Sequence, residues 1–259
     1  LVALAERLEA PVVEHPEWHH GIPVEHPLSL GDRTFADHYL AKDVDLVLVV
    51  GAKRPWYPPA GGAPEGATVV MVSPEPERAK LDYWNYPADL LVTGEPAAAL
   101  PALLDAVPER TADGPVDWRA EHDALRAHWR GLAEAGAGET PIDPFWLCGE
   151  LDGLLPDDAV LVEETTVHKG LINNLLEARD RSYIGAGRAL AGGRGGGLGM
   201  ALGATLAAPD RPVVALVGDG AYNYNPVAGA LGAAQQHRLP FMTVVFDNSG
   251  YRSQRGSVE

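Results

Sequence analysis

Pro212-Val-Val-Ala-Leu-Val217-Gly218-Asp219-Gly220 and, further on, Phe241-Met-Thr-Val-Val-Phe246-Asp247-Asn248-Ser249-Gly250 form the stretch that decides the fold. Each half is a short apolar run that stops at a polar, glycine-containing turn. Such a run reads as a buried strand of a parallel sheet. Between them, Asn225-Pro226 reads as a helix start, with Asn as the cap and Pro at the first helical position. Small and apolar residues continue the helix through Gln236. The result is a βαβ unit with a polar cluster at the carboxyl end of each strand. Open α/β sheets bind ligands at that edge.

The two clusters have a definite chemistry. Asp219 offers a carboxylate, Asn248 a neutral amide oxygen, and Gly250 a backbone carbonyl. Three hard oxygens from adjacent strand ends suit Mg²⁺ or Ca²⁺, not zinc. A single carboxylate is appropriate if the metal also binds a diphosphate, because more negative charge would repel it. The backbone N–H groups of Gly220 and Ala221 can face phosphate oxygens.

Gly-Asp-Gly, 26 intervening residues and an Asn-containing turn resemble the thiamin diphosphate motif of the acetolactate synthase and benzoylformate decarboxylase family. That family often writes the turn Asn-Asn-Gly. Here it is Asp247-Asn248-Ser249, and the second position, the metal ligand in the family, is kept. The resemblance implies Mg²⁺ on Asp219, Asn248 and the Gly250 carbonyl. It places Gly218, Gly220, Ala221 and Tyr251 among the cofactor contacts. Thr166, in Glu163-Glu164-Thr165-Thr166, matches the Thr of the family's Glu-Ser-Thr stretch, which touches the diphosphate end. The two carboxylates beside it admit two readings, an acid/base pair or a cap on the helix that begins near Val167.

Ala191-Gly-Gly-Arg-Gly-Gly-Gly-Leu-Gly-Met200 carries six glycines in eight positions. Glycine permits close backbone approach, either to a flat ligand or within a tight turn opening a packed helix. Without gaps it matches the family's Gly-Gly-Leu-Gly segment. That register puts Gly192 where a carbonyl bonds the aminopyrimidine. It puts Arg194 where a large apolar residue supports the bent cofactor, a departure from the family; a shift of four residues places Leu198 there instead.

The remainder fits a soluble α/β protein. Of 259 residues, 46% are hydrophobic and 22% charged, enough for a full core. A net charge of −16 speaks against nucleic acid or an anionic membrane as partner. One cysteine, Cys148, cannot form an intrachain disulfide, so a reducing, cytoplasmic setting is expected. No apolar run reaches the roughly 18 residues of a membrane span. Four histidines between His15 and His26 lie among prolines that prevent one helix from presenting them together, and their spacing fits no zinc site.

Strands are expected at 11–15, 45–50, 67–72, 89–93, 158–162, 212–217 and 241–246. Helices are expected at 1–10, 34–42, 77–81, 97–106, 116–132, 145–155 and 225–236. Strand–helix alternation predicts two doubly wound parallel-sheet domains. They are a Rossmann-like central domain (1–108, first strand missing) and a diphosphate- and Mg-binding domain (141–259, truncated), joined by a linker at 109–140. The family's central domain carries FAD in acetolactate synthases, but no G-x-G-x-x-G is present and nothing demands FAD. Lys53 to Tyr57 reads as rim packing of a long loop.

The resemblance implies a thiamin diphosphate- and Mg-dependent enzyme that decarboxylates a small-molecule 2-oxo acid or joins its acyl unit to another carbonyl. A homodimer or homotetramer is implied for the full-length form. The family's activating glutamate lies on a preceding domain, so no residue of this chain is assigned a catalytic role and the fragment alone is expected to be inactive. The competing reading is a non-catalytic diphosphate- or nucleotide-binding α/β module.

Overall fold

A computed structural model describes the chain except for residues 15–18, 33–43, 53–62, 64, 77–85, 109–115, 180, 186–194, 251 and 253–259. The helices expected at 34–42 and 77–81, the 53–57 loop, and the candidate contacts Gly192, Arg194 and Tyr251 lie outside the described residues. Two compact units divide the chain: residues 1–15 with 27–122, and residues 16–26 with 123–259.

The first unit holds α1 (Val2–Leu8), β1 (Val12–Glu14), β2 (Ser29–Asp32), β3 (Leu46–Val50), β4 (Thr68–Ser73), β5 (Leu90–Thr93) and α2 (Pro96–Ala106). Strands β3, β4 and β5 pair in that order, all parallel, with Val50 opposite Val72 and Ser73 opposite Thr93. Val49, Val69 and Met71 form the apolar cluster on this sheet. Strands β1 and β2 make a separate parallel pair. The unit boundary falls within α3 (Trp118–Ala135).

The second unit continues with α4 (Pro144–Leu154), β6 (Val160–Glu164), α5 (Lys169–Leu175), β7 (Ser182–Gly185), α6 (Gly197–Ala207), β8 (Val213–Gly218), α7 (Asp219–Tyr224), α8 (Val227–His237) and β9 (Met242–Phe246). Its sheet runs β7-β6-β8-β9, with every pairing parallel. Strands β6 and β8 are buried along nearly their whole length, β8 as a continuous apolar run and β6 as Val160-Leu-Val162 followed by the buried Glu163 and Glu164.

Alternate residues of these strands feed two cores. Leu161 and Leu216 join Trp129, Cys148, Leu151 and Ile172. Val162 and Val217 join Leu198, Ala201 and Ala230. Side chains alternate across a strand, so α3, α4 and α5 cover one face and α6 and α8 the other. That is the doubly wound arrangement, with helices on both faces of a parallel sheet.

Two local readings change. Asp143, not Phe145, marks the start of α4: its carboxylate accepts from the amides of Phe145 and Trp146 at 2.8 and 3.2 Å, with Pro144 following. The helix read from Asn225-Pro226 begins at Val227, and Asn225 does not cap it. Its side chain is engaged elsewhere, as described below.

The segment 16–26 is fastened to the second unit. Glu25 accepts hydrogen bonds from the amides of Ala178 and Arg179 at 3.0 and 2.9 Å. The His20 ring lies 4.6 Å from that of Tyr183. These contacts give His20 and Glu25 a packing role, and no group of three or more His, Cys, Asp or Glu side chains placed to hold a metal occurs among the described residues.

Cys148 is fully buried, and burial, with Asp143 nearby, pushes its thiol up to about 12. Thiolates, not thiols, react, so the native protein should resist alkylation at pH 8 and be labelled only after denaturation, as read by intact mass. The thiol's contribution to stability is present below its ordinary value near 9 and is lost as pH rises toward 12.

Candidate cofactor site at the carboxyl edge of the second sheet

Parallel register brings the described sequence-predicted residues Gly218 to Ala221, Asn248, Gly250 and Thr166 to one edge. Gly218, the last residue of β8, is paired with Phe246, the last of β9. Asp219 and the Asp247–Gly250 turn therefore leave adjacent strands at the same level. Glu164 ends β6 opposite Val217, so Thr166 lies just beyond the same edge, exposed.

Asp219 opens α7 with Gly218 as its N-cap. The polar turn read there is thus the first turn of a six-residue helix. Gly220 and Ala221 lie in that turn, where backbone N–H groups have no partner within the helix. The Asp219 carboxylate accepts a hydrogen bond from the Gly250 amide at 3.1 Å, which ties the β9 turn to the start of α7. Within that turn the Ser249 amide donates to Asp247 at 2.8 Å, and the Gly250 carbonyl accepts from Arg252 at 2.9 Å.

Asn248 has the most informative side chain. Its Oδ1 is buried and has no hydrogen-bond partner among the described residues. Buried acceptors are almost always satisfied, so an orphaned one on the turn whose Gly250 amide binds Asp219 fits the role of a cation ligand. The donor set, one carboxylate with amide and carbonyl oxygens, has the hard character that Mg²⁺ prefers. The residues present fit that ion.

His168 was not anticipated from sequence. It is buried, its ring stacks 5.1 Å from that of Phe246, and burial together with the Arg252 charge lowers its pKa, while Asp219 opposes the shift. It therefore sits at the β9 tip, within electrostatic reach of Asp219.

Neither carboxylate of Glu163-Glu164 caps α5, whose N-cap is His168. Glu163 is fully buried, accepts from the Thr165 amide and hydroxyl and from Tyr183 Oη, and burial raises its pKa. Glu164 turns instead to the glycine-rich run. Its oxygens accept from the amides of Gly195, Gly196 and Gly197 at 2.7, 3.2 and 2.9 Å, and from Asn225 Nδ2 at 2.8 Å.

Comparison with known proteins gives the family. Residues 1–103 match the central domain of the thiamine pyrophosphate enzymes, and residues 166–259 match their C-terminal TPP binding domain. The chain belongs to the thiamine pyrophosphate enzyme family. It is 34% identical over 215 residues to benzoylformate decarboxylase of Pseudomonas aeruginosa, covering 82% of this chain and 37% of that protein. It is 28% identical to sulfoacetaldehyde acetyltransferase of Rhodobacter capsulatus, over 98% of this chain and 47% of the relative. The solved thiamine diphosphate-dependent 4-hydroxybenzoylformate decarboxylase of Rhodococcus jostii superposes with a TM-score of 0.69 at 28% identity, over 99% of this chain and 46% of that one. The chain thus spans less than half the length of these relatives.

In this member of the thiamine pyrophosphate enzyme family, contacts within the chain account for two of the glycines in the 192–199 run. Gly195 has φ +96°, and a Cβ there would meet the Tyr224 carbonyl oxygen at 2.4 Å. A Cβ on Gly197 would meet Glu164 Oε2 at 2.7 Å. Leu198, the alternative support for a bent cofactor, is fully buried in the apolar cluster with Val162 and Val217. Gly195→Ala combines a backbone clash with a strained φ and should cost at least about 2–3 kcal/mol, measured as a lowered urea midpoint.

Among the described residues, no helix is long and apolar enough to cross a membrane.

Proposed function

We propose that this chain is the central and diphosphate-binding part of a thiamin diphosphate- and Mg²⁺-dependent enzyme acting on 2-oxo acids. In this reading the domains are 1–108 and 141–259, with 109–140 between them. The observation that carries the proposal is the buried, partnerless Asn248 Oδ1 on the turn whose Gly250 amide binds Asp219. Asp219, Asn248 and the Gly250 carbonyl would hold the metal. Gly218, the first-turn amides of Gly220 and Ala221, Thr166 and Tyr251 would receive the diphosphate, with Gly192 and Arg194 toward the pyrimidine. When bound, the cofactor supplies the reacting carbon, so the chain's own residues bind and orient.

Decarboxylation and carboligation both fit, since the relatives named above include decarboxylases and an acetyltransferase. Nothing in this chain is assigned the acid–base role. The 259-residue stretch alone is expected to release no CO₂ from a panel of 2-oxo acids. We further propose a cytoplasmic setting and a homodimeric or homotetrameric complete protein.

The test is calorimetric titration of thiamin diphosphate with and without Mg²⁺, against ADP. The reading requires metal-dependent binding of thiamin diphosphate. Binding of ADP alone, indifferent to metal, would instead support a nucleotide-binding module without catalysis.

A further inference from the structure

Glu164 is 0% exposed, and both of its oxygens are occupied. It cannot reach a substrate. What it holds is informative. Three successive backbone amides, Gly195 to Gly197, donate to it. The fourth amide, Leu198 N, donates to Asn225 Oδ1 at 3.0 Å. Asn225 Nδ2 in turn donates both to Glu164 Oε2 and to the Ala221 carbonyl, each at 2.8 Å. Asn225 directly follows α7, the helix that opens with Asp219.

Three tips of the sheet edge are therefore joined by one carboxylate and one amide: the end of β6, the glycine run entering α6, and the far end of α7. All these contacts are buried or half-buried. Hydrogen bonds to a charged acceptor are about twice as strong as neutral ones.

We propose that Glu164 is a positioning residue, which fixes Gly195 to Gly197 at the entry to α6 relative to α7, the proposed metal-binding helix, and so sets the span between the pyrimidine and diphosphate ends of the site. This rests on the functional reading given above. A carboxylate suits the task because it only accepts, and four donors converge on it. Glutamine would turn an NH₂ group toward Gly197 or Gly195. Aspartate keeps both acceptors but falls one methylene short.

The two ends of the ligand can be probed separately in the complete protein with Mg²⁺ present. Thiamin diphosphate needs both ends aligned; inorganic diphosphate needs only the metal end. Glu164→Gln is expected to weaken thiamin diphosphate binding by about tenfold or more, from loss of one charge-assisted bond. Inorganic diphosphate should shift by less than about twofold, and Glu164→Asp should recover part of the thiamin diphosphate loss.

Unchanged binding of both ligands by Glu164→Gln would overturn the proposal. Equal loss of both, together with a fallen melting temperature, would also overturn it, because the residue would then only support the fold. Should Glu164→Gln not fold, Glu164→Asp is read against the same split, with a smaller selective loss expected. A wild-type protein that binds inorganic diphosphate but not thiamin diphosphate would refute the functional reading itself, a result visible without any variant.

Discussion

Asp219→Ala should lower the affinity for thiamin diphosphate in Mg²⁺ by at least about 100-fold, equivalent to ~2.7 kcal/mol. Two losses combine. Asp219 is the sole carboxylate of the proposed donor set, and Mg²⁺ is held through one or two carboxylates with water and phosphate oxygens completing its shell. The same carboxylate accepts the Gly250 amide at 3.1 Å, so alanine also releases the turn that carries Asn248. Asp219→Asn separates the two effects: it retains an oxygen for the Gly250 amide but discards the charge. Asparagine should therefore preserve the melting temperature while losing metal-dependent binding. Titration calorimetry with and without Mg²⁺ decides the matter, and wild-type affinity in both variants would remove the metal assignment.

The second large effect concerns stability. The Arg181 side chain is 1% exposed. Its guanidinium donates to the carbonyls of Asp152 and Leu155 at 2.8 Å and to those of Pro156 and Glu177 at 3.1 Å, and it pairs with the Asp152 carboxylate at 2.5 Å. The carbonyls of Asp152, Leu155 and Pro156 cluster at the C-terminal end of α4, where a helix leaves its last C=O groups unsatisfied, and that of Glu177 follows α5. Arg181→Met fills similar volume but strands several buried acceptors and removes a buried ion-pair partner. The expected cost is about 3–5 kcal/mol, measured by urea unfolding. Arg181→Lys should fall between, because an ammonium has three donors and lacks the planar fork. A change below about 1 kcal/mol in Arg181→Met would contradict this account.

Most of the sheet was legible from sequence because its strands are saturated with valine and leucine. Val213–Val217 admits no helical reading of comparable length, and its Gly-Asp-Gly terminus marked the end of the strand directly. Strand β7 was missed because Ser182-Tyr-Ile-Gly185 is short and offers only two apolar residues. Strand β2 was missed because Ser29 and Asp32 are buried despite their polarity. Helix α5 is buried on every side, including Lys169, Asn173 and Asn174, so it has no apolar stripe to detect.

At the site, local rules pointed to the nearest partner and the real partner was distant. Asn225 before Pro226 has the form of a cap, yet its amide spans to Glu164 and Leu198. An acidic pair before Val167 suggested a cap on the next helix, yet Glu164 serves amides 31 to 33 positions downstream. His168 carried no signal at all: its place follows from which strand tip Phe246 happens to occupy.

The loop 16–26 bears on how this protein can be dissected. By its contacts it belongs with residues 123–259 although more than ninety positions of the other unit intervene. A gene truncated to its later half would delete Glu25, leaving the Ala178 and Arg179 amides without their acceptor, and would uncover the ring face of Tyr183 now met by His20. Separate expression of the cofactor-binding half therefore calls for grafting that eleven-residue strap back, by circular permutation or as a co-expressed peptide.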